Sequence, residues 1–135
     1  MTRENTPANR GEDDTQFDLS ETATVPDPDV LFQALATTMR RRMLWYVLAN
    51  AETTTDELAD VLAGWESTTA GVVGPSEREE IRIELHHVHL PLLVAADLIE
   101  YDSEAETIEV AAMPEPVREI IRHARQYDDI VENTG

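Results

Sequence analysis

The segment SEREEIRIELHHVHLPLL, residues 76–93, is the stretch of sequence that decides the fold. Ser76 and Glu79 stand at the spacing of a capping box directly after a Gly-Pro pair, which predicts the start of a helix. Pro91 removes one backbone donor, so we expect the regular helix to bend or end near residues 89–90. Apolar residues recur at i, i+4, i+7 and i+11, which predicts a buried face formed by Ile81, Leu85, Val88 and Leu92.

Two further helices are predicted upstream of this segment. Asp27 can cap a helix whose first position is Pro28. Residues 52–53 predict a turn, and Thr54 and Glu57 then repeat the capping-box spacing ahead of a short second helix. The first helix is predicted to bury Leu31, Leu35, Met39, Met43, Val47 and Leu48, and the second to bury Leu58, Ala59, Val61 and Leu62.

A hairpin and a last helix are predicted downstream. Two β-prone runs, residues 98–101 and 107–110, are joined by the polar residues 102–106, and these lengths are typical of a hairpin. Pro114 and Pro116 then open an amphipathic helix. Its apolar face is predicted to consist of Val117, Ile120, Ile121, Ala124 and Val131.

The order helix, short helix, long helix, hairpin, helix predicts a mostly α protein with a small β-hairpin wing, a winged helix-turn-helix. We divide the chain into an acidic tail at residues 1–26, a winged-helix domain at 27–112 and a C-terminal helix at 113–135. The tail has few apolar side chains and no periodicity, so we expect it to be disordered and dispensable for folding.

The charge balance is the most unusual feature of the composition. The chain has 28 acidic and 10 basic residues, a net charge of −18, and every basic residue is arginine. Self-repulsion of this size is tolerated best in molar salt, where the Debye length falls to roughly 3 Å. The composition therefore predicts a protein of a halophilic archaeon. The lack of cysteine, of a signal peptide and of a long apolar stretch predicts a cytoplasmic protein that does not contact a membrane.

Two segments resemble the ArsR-like winged-helix regulators of archaea and bacteria. LFQALATTMRRRML, residues 31–44, is similar to their opening helix, and HLPLLVAADLI, residues 89–99, to the end of their recognition helix. HVHLPLL at 87–93 together with LIEYD at 98–102 resembles more closely a haloarchaeal winged-helix family of unknown function. The likeness covers about residues 29–112 and implies a winged-helix fold and a role in transcription.

The sequence departs from the ArsR-like pattern in two places. The stretch between Leu62 and Ser76 is far longer than the roughly 3 to 4 residues of a standard helix-turn-helix connection. Asp97 stands where ArsR-like chains have glycine, at a helix end that favours a left-handed backbone.

The third helix carries the candidate DNA-binding residues Arg78, Arg82 and His86, because these three and His89 fall along one flank of its apolar stripe. In a major groove, either arginine could bind a guanine edge or a phosphate. The alternative is that both arginines pair with neighbouring glutamates, Glu77, Glu79 or Glu84, on a solvated surface. We also expect DNA contacts from Ser76, Thr54 and Arg41.

Arg41 belongs to a run of three arginines that point in different directions, roughly 100° apart on a helix. We therefore expect one of Arg40, Arg41 and Arg42 to contact a phosphate or an acidic neighbour and another to lay its stem along the core, with structural roles for at least two of them. The histidines at 86, 87 and 89 have poor spacing for a metal site, and no cofactor is predicted. The sequence has no phosphate loop and no nucleophile with a partner, so we do not expect an enzyme.

The predicted wing argues against simple DNA binding because it would be repelled by phosphates. The acidic residues that line it are Glu100, Asp102, Glu104, Glu106 and Glu109. The sequence therefore leaves two functions open: a DNA-binding regulator of transcription, or a winged-helix module without DNA binding that recognises a protein through its acidic wing and tail. A homodimer is expected in the first case, with contacts from Val117, Ile120, Ile121 and Ala124.

Overall fold

The computed structural model describes residues 25–71 and 73–134, with the side chains of residues 68–70 left aside. The predicted tail therefore lies almost wholly outside the described residues. The strands are β1 (Glu52–Thr54), β2 (Ile99–Asp102) and β3 (Thr107–Val110). The helices are α1 (Pro28–Ala34), α2 (Thr38–Asn50), α3 (Thr55–Ala70), α4 (Pro75–Glu84), α5 (Leu90–Ala95) and α6 (Glu115–Thr134), with a π-helical turn (Leu85–His89) between α4 and α5.

This architecture confirms the predicted fold class. Over the described residues the chain is mostly helical, with a small antiparallel sheet in the order β1-β3-β2, compatible with a winged helix. The core lies between the helices and the sheet, and its largest fully buried side chains are Met43, Leu44, Leu58, Leu62, Leu85, Leu93, Leu98, Ile108 and Ile121.

The predicted first helix is in fact two helices, so the prediction of a single one is wrong. Helix α1 ends at Ala34 and α2 begins after Thr37. The Thr37 side chain accepts a hydrogen bond from the Arg40 backbone N–H at 3.2 Å, which caps the new helix. The break leaves the predicted positions Leu31, Leu35 and Met43 buried.

Two predictions around the second helix are corrected. Residues 52–53 belong to strand β1, which pairs with β3 and places Thr53 opposite Ile108. The second helix is not short but extends to Ala70. A single glycine at position 64 costs a helix only about 1 kcal/mol, and Trp65 beyond it packs edge-on against Trp45 with 6.0 Å between ring centroids. The turn to α4 is consequently only residues 71–74, starting at Gly71 with a φ of 93°.

The third helix begins slightly earlier than predicted. Its N-cap is Gly74, whose N–H donates to the Glu77 carboxylate at 3.0 Å, so the predicted capping box of Ser76 and Glu79 is wrong. The expected irregularity before Pro91 is present as the π-helical turn. Its extra residue changes the phase of the helix, so that Val88 is 47% exposed while His89 is buried.

The hairpin is confirmed, with Tyr101 of β2 opposite Ile108 of β3. Asp97 has a φ of 62°, the left-handed conformation expected at this helix end. Thr55, at the start of α3, is tied to the wing because its N–H donates to the Glu106 carbonyl at 3.1 Å and its hydroxyl to the Glu106 carboxylate at 2.9 Å.

Helix α6 packs against α2 and completes the core of the single chain. Val117 and Ile121 are buried there, whereas Ile120 and Ala124 are only partly buried. The exposed apolar side chains of this helix lie further along, at Tyr127, Ile130 and Val131. Among the described residues, no helix is both long enough and apolar enough to span a membrane.

Candidate nucleic-acid interface

The two arginines predicted to read DNA lie on α4 and pair with the helix before it. Arg78 Nε donates to Asp60 Oδ1 at 2.8 Å, and Arg82 forms an ion pair with Asp56. The short turn at residues 71–74 places α3 and α4 side by side, so that the acidic partners come from α3 and not from α4 itself. The sequence-based alternative of pairing within α4 therefore named the wrong carboxylates.

These two ion pairs remain accessible to solvent. The Arg78 and Arg82 side chains are 40% and 32% exposed, and those of Asp60 and Asp56 are 62% and 67% exposed. Ion pairs at such surfaces contribute about 0 to 1 kcal/mol. A phosphate or a guanine edge could therefore replace either carboxylate at small cost.

The other predicted contacts are distributed unevenly around α3 and α4. Ser76 is exposed on the first turn of α4, and His86 is half-buried in the π-helical turn. Thr54 caps α3, and its hydroxyl oxygen already accepts the N–H of Glu57 at 3.1 Å. Ser76 thus lies on the same helix as the arginines, and Thr54 lies at the N-terminal end of the helix that supplies their acidic partners.

Arg41 lies apart from this unit. Its Nε and Nη2 atoms donate to the two carboxylate oxygens of Asp128 on α6 at 2.8 and 3.0 Å. Its Nη1 atom also donates to the Leu35 carbonyl at 2.7 Å. The predicted DNA contact at Arg41 is therefore occupied by bonds that join α2 to α6.

The neighbouring arginines are structural as well. Arg40 is buried and donates from Nε to the Ala34 carbonyl at 3.0 Å and from Nη2 to the Gln33 carbonyl at 2.9 Å, which caps the end of α1. Arg42 is buried between Glu66 of α3 and Glu132 of α6, at 3.3 and 3.2 Å. Each arginine of the run thus joins different elements, as the divergence of successive helical residues requires.

His89 is a buried polar residue that the sequence did not single out for the core. Burial lowers its pKa, and the positive charge of Arg40 lowers it further, against a smaller opposing effect of Glu84. His87, by contrast, is exposed. Among the described residues, no three histidine or carboxylate side chains are grouped closely enough to hold a metal ion.

A row of glutamates crosses the sheet on its solvent side. Glu109 of β3 stands opposite Glu52 of β1 and also opposite Glu100 of β2. All three are exposed. Like charges directly opposite each other repel, so this face favours cations and disfavours phosphates. The sequence predicted an acidic wing, but the contribution of Glu52 depends on strand β1, which it did not predict.

Comparison with known proteins gives one result. A family described as a domain of unknown function (DUF7344) matches residues 32–109, which include the helices from α2 to α5 and the sheet except for Val110. No curated protein matches the chain, and no solved structure matches it.

Proposed function

The chain belongs to the DUF7344 family of unknown function, and on that premise we propose that it is a DNA-binding transcriptional regulator of the ArsR-like winged-helix type. The observation that carries the proposal is the pair Arg78 and Arg82, one helical turn apart on α4 and each held by an exposed ion pair to α3. The turn at residues 71–74 has the length of a helix-turn-helix connection. Helix α4 and the exposed Ser76 would enter the major groove.

The proposed setting is the cytoplasm of a halophilic archaeon. Its support is the net charge of −18 with arginine as the only basic residue type, together with the glutamate row Glu52, Glu109 and Glu100. At molar salt, cations between these carboxylates and the phosphates would reduce the repulsion between wing and DNA. No cofactor and no catalytic step belong to the proposal.

The test is fluorescence anisotropy with labelled genomic fragments in molar KCl. We expect the wild type to select particular fragments and Arg82→Ala to weaken binding to them by roughly 1 to 3 kcal/mol. The matched control is Arg122→Ala, which removes the same charge from an exposed pair with Glu115 on α6. Equal, weak binding of all fragments by wild type and variants would reject the regulator.

A second candidate is a winged-helix module that binds a protein instead of DNA, and the acidic wing favours it. The glutamate row and the exposed Asp102 and Glu104 present a surface that a basic partner would complement. Glu100→Gln/Glu109→Gln separates the two candidates. If the wing lies beside DNA, the double variant should bind DNA more tightly at low salt than the wild type.

A second copy of the chain is the proposed partner within the regulator. The sequence predicts dimer contacts from Val117, Ile120, Ile121 and Ala124, but Val117 and Ile121 are buried within one chain, so Ile120 and Ala124 remain for the contact. The exposed Tyr127, Ile130 and Val131 extend this surface along α6. Pairing through α6 would give the symmetric dimer that a palindromic operator requires.

A further inference from the structure

A groove of about 510 Å³ opens beside α4, between that helix, α2 and α3. Met39, Ile81 and Ile83 supply its apolar surface, and Ile83 is 49% exposed. All the charged side chains that line it are acidic, and they are Glu66, Glu77, Glu80 and Glu84. An exposed apolar surface with a charged rim is the usual form of a protein-binding site.

The four glutamates are not equivalent. Glu66 pairs with Arg42, and Glu77 accepts the N–H of Gly74, so both are held by the fold. Glu80 and Glu84 are both exposed, and Glu84 lies 3.8 Å from Nε2 of His89, a histidine whose pKa is lowered by burial and by Arg40. The rim therefore keeps negative charge directed at an incoming partner.

We propose that this groove binds a cationic amphipathic segment of a partner protein, with apolar side chains against Ile81 and Ile83 and arginine or lysine side chains beside Glu80 and Glu84. Charge complementarity identifies the occupant: an acidic rim repels nucleic acid and a second copy of this acidic chain, and attracts a basic peptide. The volume is within the range of clefts that bind drug-sized ligands, roughly 300 to 1,000 Å³.

The groove is independent of the proposed DNA contact. Arg82 lies roughly 160° around the α4 axis from both Glu80 and Glu84 at 100° per residue. One flank of α4 thus carries the arginines and the opposite flank the groove. If the protein did not bind DNA, the proposed peptide site would be unaffected. If it did not bind the peptide, the proposed DNA contact would be unaffected.

The test uses the full chain and a short fluorescein-labelled peptide with leucine on one helical face and arginine on the other. The control peptide has the same composition in scrambled order. Anisotropy at moderate KCl should show tighter binding of the amphipathic peptide. Ile83→Ser and Glu80→Gln/Glu84→Gln should each weaken it by about fivefold or more.

The matched control for charge is Glu115→Gln/Glu119→Gln, which removes two exposed glutamates from α6, and the matched control for apolar surface is Val94→Ser, at a side chain 39% exposed. Both should bind the peptide as the wild type does, and thermal melting should confirm that every variant is folded. Equal weakening by the α6 variant, equal binding of the scrambled peptide, or no binding by the wild type would each overturn the proposal.

Discussion

The Arg40 guanidinium lies 3.3 Å from Nδ1 of His89 in the interior of the protein. Because arginine can only donate, Nδ1 must accept, and His89 must be neutral with its proton on Nε2. Nε2 is on the side of Glu84, 3.8 Å from its carboxylate. Arg40 also binds the last carbonyls of α1, so this one side chain connects α1, α2 and the π-helical turn.

The neutral state of His89 predicts a pH dependence of stability. Burial and Arg40 hold the pKa of His89 below its ordinary value of 6.5, so the unfolded chain binds a proton first as the pH falls. The contribution of neutral His89 to the free energy of unfolding is complete above pH 6.5. It is lost as the pH falls from there through the lower pKa of His89 in the folded state. Thermal melting between pH 7.5 and 5 should show a falling midpoint.

The variant His89→Gln should remove part of this slope, because glutamine does not titrate. His123→Gln, at an exposed histidine of α6, is the matched control and should leave the slope unchanged. A wild-type slope that His89→Gln does not reduce would contradict the prediction.

Local signals in the sequence predicted some elements and missed others for identifiable reasons. The wing was predicted from two short β-prone runs, and the left-handed conformation of Asp97 from its position at the end of a helix. Both signals lie within a few residues of the feature they predict. The length of α3 depends on the packing of Trp65, and the burial of His89 depends on the phase change of the π-helical turn. Neither is encoded in a short window of residues.

The candidate site, too, was predicted only in part. The sequence located Arg78 and Arg82 on the third helix, but it assigned them partners within that helix. Their partners, Asp60 and Asp56, are 18 and 26 residues away in sequence. Whether these arginines and aspartates meet depends on how α3 packs against α4. A single sequence, without covariation between positions, contains no direct information about that packing.

Arg40→Met should destabilise the fold by roughly 1 to 3 kcal/mol, because it leaves buried acceptors at the end of α1 without their donor. Arg40→Lys should recover only part of this loss, since an ammonium group cannot reach in three directions as the guanidinium does. Urea unfolding measures both. The variant Arg118→Met, at an arginine on α6, is a control for the lost charge. Equal effects at positions 40 and 118 would contradict the capping role.

Glu109→Gln should stabilise the protein at low salt, because residue 109 is the middle of the glutamate row. Two like-charge neighbours are relieved by one substitution, and a cross-strand pair is worth roughly 0.2 to 1 kcal/mol. The gain should shrink in molar KCl, where the charges are screened. Glu104→Gln in the turn removes the same charge without a cross-strand neighbour and should gain less. Urea unfolding at two KCl concentrations measures these gains in the free energy of unfolding. Equal gains for Glu109→Gln and Glu104→Gln would refute the prediction.

DNA binding should depend weakly on salt if the regulator proposal holds. Ordinary binding that neutralises Z phosphates gives a log-log slope of about −0.9Z. Here cations taken up between the acidic surface and DNA offset those released, so a flat or positive slope is expected and binding should persist in molar KCl. Anisotropy titrations at several KCl concentrations measure the slope. A steep negative slope would show that cation uptake does not occur.

Ile130→Glu is the variant that tests the proposed dimer. Ile130 is 61% exposed on α6, so glutamate there should leave the chain folded while it disrupts pairing. Ile121→Glu cannot serve, because Ile121 is 1% exposed in the core and a buried carboxylate would unfold the monomer. Light scattering in high salt should give the mass of two chains for the wild type and of one chain for Ile130→Glu. Val94→Glu, at an exposed valine of α5, controls for the added charge and should remain a dimer. A wild type with the mass of one chain at micromolar concentration would exclude the pairing, and the apolar surface of α6 would then belong to a different contact.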